Sequence, residues 1–132
     1  MTQQPRHSPA PPTSFGLTES RLDDADVVVI AVRGELDLFT APELRAALRQ
    51  QTEAVEPPHV VVDLTACTFV DASGCQVVLR AARRLAAHDR RLAIVNTNPG
   101  TARILSVMGL DELFPVVPTR AAAATAVRRP AP

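Results

Sequence analysis

The run Val60-Val61-Val62-Asp63-Leu64, with an amphipathic segment a short way behind it, constrains this chain most. A short, continuous β-branched run marks a strand covered on both faces. From Cys75 to Leu85 the apolar residues Cys75, Val78, Ala82 and Leu85 recur at helical spacing, with Arg80, Arg83 and Arg84 elsewhere around the turn. That pattern predicts an amphipathic helix. Between strand and helix, Ser73-Gly74-Cys75-Gln76 fits the S-x-x-Q capping box. Ser73 is thereby expected at the helix N-cap, its hydroxyl beside free backbone N–H groups. Two readings of Ser73 follow. It is a plain cap, contributing about 1 kcal/mol, with Asp71 a solvated turn residue; or it is an exposed hydroxyl that serves as a switch or ligand contact.

Taken in order, the first 14 residues carry Pro5, Pro9, Pro11 and Pro12 among polar residues and read as a disordered tail (1–14). Phe15 to Leu22 alternates weakly and Val27 to Val32 is a β-branched run; the two predict a hairpin across the polar turn Asp23-Asp24-Ala25-Asp26. Gly34-Glu35-Leu36-Asp37 leaves the second strand, and Thr40-Ala41-Pro42-Glu43 is another capping box with proline in the first turn. The helix behind it buries Leu44, Ala47 and Leu48, and Pro57-Pro58 closes the following linker. After the central strand and helix come a strand at Arg91–Asn96, a breaker at Asn98-Pro99-Gly100, and a short helix to Met108 with Gly109 as its C-cap. Val116-Val117 is a last short strand and Thr119–Arg129 an alanine-rich helix, with 129–132 fraying. The alternation of strands and helices predicts an α/β domain over 15–128 with a mixed, mainly parallel sheet.

Composition removes several chemistries. All 14 basic residues are Arg, so no Walker A, Schiff-base or general-base lysine exists. The formal net charge of +0 gives no bias toward nucleic acid or an acidic membrane. No apolar run approaches a membrane span, and Arg6 and His7 have no apolar region behind them, which points to a cytoplasmic protein without a signal peptide. His7, His59 and His88 are scattered, without metal-ligand spacing to a Cys or carboxylate. Ser73 lacks the G-x-S-x-G elbow of a hydrolase. Cys75 in a helix first turn suggests a thiol phosphatase, but only four residues separate it from Arg80, and they read as helix. Cys67 and Cys75 are too far apart for a C-x-x-C pair, and core packing is the plain reading of both.

Three motifs in order resemble one family. Gly34-Glu35-Leu36-Asp37 with Thr40-Ala41 resembles the G-x-L-D…T-A pattern of STAS domains. Val61-Val62-Asp63-Leu64 followed by Phe69-Val70-Asp71-Ala72-Ser73-Gly74 resembles their D-L-(spacer)-D-S/A-S/T-G signature. Asn98-Pro99, Arg103, Leu105, Gly109-Leu110 and Leu113-Phe114-Pro115-Val116 resemble their C-terminal pattern. The resemblance spans about Phe15 to Val127 and is strongest to the stand-alone anti-sigma factor antagonists of bacteria.

That resemblance implies the STAS (SpoIIAA-like) fold, with four or five strands and about four helices mainly on one face. It implies a non-enzymatic regulator with no cofactor of its own. Its partner would be an anti-sigma factor of the serine kinase type, which would phosphorylate Ser73 with ATP and magnesium bound on the kinase; a serine phosphatase would reverse the step. Partner-binding residues carried over are Asp37, Thr40, Asp71, Ala72, Gly74 and Cys75. Ala72 stands where the family often has serine, and Cys75 and Gln76 replace the usual small or aliphatic residues, which bears on partner identity. No nucleic acid or membrane contact is implied, and monomer is the expectation. The alternative is a STAS subunit of a lipid-transport or larger signalling complex that is not switched by phosphorylation.

Overall fold

The structure, a computed structural model, describes residues 14–22 and 26–129. The expected N-terminal tail up to residue 13, the turn residues 23–25 and the final residues 130–132 lie outside the described residues. The elements are β1 (Gly16–Leu22), β2 (Val27–Leu36), α1 (Ala41–Thr52), β3 (His59–Asp63), β4 (Cys67–Val70), α2 (Ala72–Ala86), β5 (Leu92–Val95), α3 (Pro99–Val107), a 3-10 turn (Leu110–Glu112), β6 (Val116–Val117) and α4 (Arg120–Arg128). The sheet order is β1-β2-β3-β5-β6, with β4 paired to the far end of β2. The β1–β2 pair is antiparallel and every other pair is parallel.

The β-branched runs sit where both faces are covered. In β2 and β3, Val28, Ile30, Val60 and Val62 point into the core beneath α1, α2 and α3. Val27, Val29 and Val61 point the other way, against Ala123 and Val127 of α4. Three helices thus share one face and α4 covers the other, as the α/β expectation of helices mainly on one face requires. Arg120 at the start of α4 donates from Nε to Asp63 Oδ2 at 2.7 Å, tying that helix to the end of β3. Burial alone would raise the Asp63 pKa. Hydrogen bonds from Thr65 and the Arg120 guanidinium outweigh it and hold the carboxyl below its usual range. Among the described residues, no helix is long and apolar enough to cross a membrane.

The sixth strand is β4, which falls in the stretch read from sequence as a spacer. Gly34 makes it possible. Its φ of 90° is a backbone conformation that glycine adopts freely. There β2 passes from β3 to β4, pairing Gly34 with Cys67, Glu35 with Phe69 and Leu36 with Val70 across a register shift. The strand therefore does not end at Gly34 but continues to Leu36.

Candidate functional site

Because β2, β3, β4 and β5 run in parallel, their carboxyl ends share one edge of the domain, where α1, α2 and α3 begin. Parallel α/β sheets place ligand and partner sites on that edge. At α1, Asp37 makes a tight turn: its Oδ1 accepts from Phe39 N at 2.9 Å and Thr40 N at 3.1 Å. Thr40 occupies the N-cap position, but its side chain does not cap the helix. Its hydroxyl donates to Glu35 O at 2.8 Å and accepts from Asp37 N at 2.9 Å, so it braces the strand exit instead. At α3, Asn98 Oδ1 accepts from Gly100 N and Thr101 N and caps the helix.

At α2 the sequence expectation is corrected. The N-cap is Asp71, not Ser73. Asp71 is extended (φ −113°, ψ −175°), and its Oδ1 accepts from Ser73 N at 2.9 Å and Gly74 N at 3.2 Å. Its own N–H donates to Leu36 O at 3.1 Å, which continues the β2–β4 ladder and sets Asp71 next to Asp37. Ser73 is thus the second residue of the helix. It is half-buried, and among the described residues its hydroxyl has no hydrogen-bond partner. The S-x-x-Q match was a coincidence of spacing, because Asp caps as well as Ser does.

Of the residues expected to meet a partner, Asp37, Thr40, Asp71 and Ala72 lie on this ledge with Ser73 and are at least partly exposed. Gly74 and Cys75 do not. Gly74 is buried, and a Cβ there would lie 2.6 Å from Leu36 Cγ. Cys75 is 1% exposed, so its thiol cannot touch a docked protein while the fold is intact. Burial, with the Asp71 charge behind it, pushes that thiol up to about 11, the reverse of a helix-activated nucleophile. Burial raises Cys67 as well, and its thiol donates to Phe69 O at 3.2 Å. Both cysteines pack, as their plain reading held.

Sequence reasoning missed the apolar rim. Leu38 and Phe39, between Asp37 and Thr40, are 65% and 86% exposed, and Phe69 on β4 is 49% exposed. Large apolar side chains left in solvent on this edge are candidates for contact with a partner. Beside them, Phe69, Val70, Asn98, Thr101 and Ile104 line a groove of about 220 Å³ between β4 and α3. The site holds no nucleophile beside a base; it is a ledge with a bare hydroxyl, two carboxylates and an apolar border.

The STAS domain family matches residues 22–123. The anti-sigma-F factor antagonist RsfB of Mycobacterium tuberculosis is 30% identical over 112 residues, covering 85% of this chain and 90% of RsfB. The crystal structure of an anti-sigma factor antagonist from Mycobacterium paratuberculosis is similar at a TM-score of 0.75 and 33% identity, over 86% of this chain and 96% of that one. The phosphorylated form of the Bacillus cell fate determinant SpoIIAA is similar at a TM-score of 0.64 and 25% identity, over 87% and 100%. A fold and an edge of this kind define a regulatory interaction domain, and this chain belongs to the STAS domain family. These relatives include proteins named as anti-sigma factor antagonists.

Proposed function

We propose that this protein is an anti-sigma factor antagonist: it docks an anti-sigma factor of the serine kinase type through the ledge around Ser73, and phosphorylation of Ser73 by that kinase ends the interaction. The observation that carries this reading is the Ser73 hydroxyl, which lies at the second position of α2, is not fully buried and, among the described residues, makes no hydrogen bond. Relatives named for the same activity support it, as does the solved phosphorylated form of one family member.

The chemistry is that of charge at an interface. Phosphate on Ser73 adds about −1.5 to −2 charges. In the free protein the N-terminal end of α2 favours an anion, while Asp71 and Asp37 oppose it. The helix carries no acidic residue of its own in its first turn. Docked against an apolar partner surface, the same phosphate loses its water, at a cost of several kcal/mol unless cations meet it. Since about 1.4 kcal/mol is tenfold in affinity, one modification suffices to release a partner without unfolding the domain. A serine phosphatase restores the bare hydroxyl. Asp37 and Thr40 hold the Leu38–Phe39 turn rigid, so its apolar side chains meet the partner with little entropy to lose. On this reading the protein acts in the cytoplasm, where its partner holds the sigma factor.

The test is intact-mass measurement after incubation with each kinase-type anti-sigma factor of the same genome, ATP and magnesium. One added phosphate is expected on the wild type and none on Ser73→Ala. No phosphate on the wild type with any such kinase would instead favour an unswitched STAS subunit of a larger complex.

A further inference from the structure

A second feature on the Ser73 side of the molecule is electrostatic. The chain has a formal net charge of +0, yet the groove between α1 and α2 concentrates one sign. Arg45 and Arg49 stand one turn apart on α1, and Arg80 and Arg84 one turn apart on α2; together they line a groove of about 310 Å³. Its floor is Leu48, Val77 and Ala81, all buried. Arg49 is held by Glu53 at 3.0 Å. Among the described residues, Arg45, Arg80 and Arg84 have no ion-pair partner.

Like charges one turn apart on a helix disfavour it. Here that occurs on both helices, and the two pairs also face each other across one groove. Nothing in the fold needs this arrangement, because the packing below is apolar. Both helices start on the edge that carries Ser73, so the groove runs away from that ledge, with Ser73, Val77, Arg80 and Arg84 successive along one side of α2.

We propose that the α1–α2 groove receives an acidic segment of the protein that docks at Ser73, with its carboxylates set along the two arginine pairs. This rests on the docking reading above and adds the chemistry of the partner. Arg meets carboxylates in paired, planar hydrogen bonds, so the groove selects for Asp- and Glu-bearing chain. A nucleic acid fits less well. The residues lining the groove include no aromatic ring to stack a base.

Two probes test this. The first is a labelled helical peptide with glutamates one turn apart on a single face, measured by anisotropy at low salt beside its lysine counterpart and a single-stranded oligonucleotide. Saturable binding of the glutamate peptide alone is expected, weakened at least about tenfold in the Arg45→Glu, Arg80→Glu double variant and by added salt. Thermal melting of that variant should not fall, since repulsion is relieved. If it does fall, Arg45→Gln with Arg80→Gln gives the same reading with less perturbation. No binding, equal binding of the lysine peptide, preference for the oligonucleotide, or indifference to these variants overturns the proposal. The second probe is the kinase found to phosphorylate Ser73. Its affinity should fall at least about tenfold in the arginine variants. Unchanged affinity overturns the groove proposal and leaves the Ser73 switch standing. Absence of any kinase acting on Ser73 overturns the switch, and the groove is then decided by the peptide.

Discussion

Asp71 and Ser73 divide between them the work that the sequence assigned to one residue. Asp71 satisfies the Ser73 and Gly74 N–H groups, so Asp71→Ala should lose about 0.5–2 kcal/mol of stability, read as a lower denaturant midpoint. Ser73 contributes only its backbone to that cap. Ser73→Asp should therefore change stability by no more than about 0.5 kcal/mol, while abolishing kinase binding measured in parallel. A loss as large as that of Asp71→Ala would make the serine structural and remove the physical basis of the switch. The two residues were indistinguishable in sequence because each offers a cap-forming oxygen at a plausible spacing. What separates them is the bond from Asp71 N to Leu36 O, which holds Asp71 extended at the sheet and lets the helix begin at Ala72.

At the scale of elements, α2 lies so close to β2 that Gly74 has no room for a side chain. A Cβ there meets Leu36, which is 0% exposed and cannot swing into solvent. Gly74→Ala should cost about 1–3 kcal/mol through overpacking, measured by chemical denaturation, and should retain the Ser73 hydroxyl. Cys67 and Cys75 should react with a thiol reagent only after denaturation, because burial has raised both; fast reaction of the native protein would contradict the packing described. Periodicity made β2, β3, β5 and the first three helices legible, since a buried strand or amphipathic helix writes its own pattern, and alanine content made α4 legible. Neither revealed β4. Four residues, Cys67–Val70, are too few to register and do not alternate in burial, and their partner, the end of β2, is remote in sequence. The exposed Leu38 and Phe39 were equally unreadable: an apolar residue in a turn looks the same whether a neighbour covers it or not.

For the molecule as a whole, one titration should be visible. His59 is buried at the start of β3, and its Nδ1 accepts from Arg91 N at 3.1 Å. Burial lowers its pKa from an ordinary 6.5; Asp26 opposes this, and Arg90, Arg91 and Arg128 add to it. A proton binds the unfolded chain more readily than the folded one. Stability is thus full above about pH 6.5 and declines as pH falls toward the lowered folded value. Asp63, also lowered, adds a second loss at more acid pH. Denaturant melts from about pH 7 to about pH 5 should show the first decline in wild type and not in His59→Gln, whose amide keeps an acceptor without the charge. By itself the amino-acid order determined the classes of element, the two-faced burial of the central strands, and the presence of a hydroxyl near a helix start. Those are local properties, set by side-chain shape and spacing. Only the tertiary structure decided which oxygen caps α2, that Cys75 faces inward, that Leu38, Phe39 and Phe69 are left in solvent, and that four arginines of α1 and α2 line one groove. Strand pairing and helix packing join segments far apart in the chain, and no local pattern records which neighbour a residue will meet.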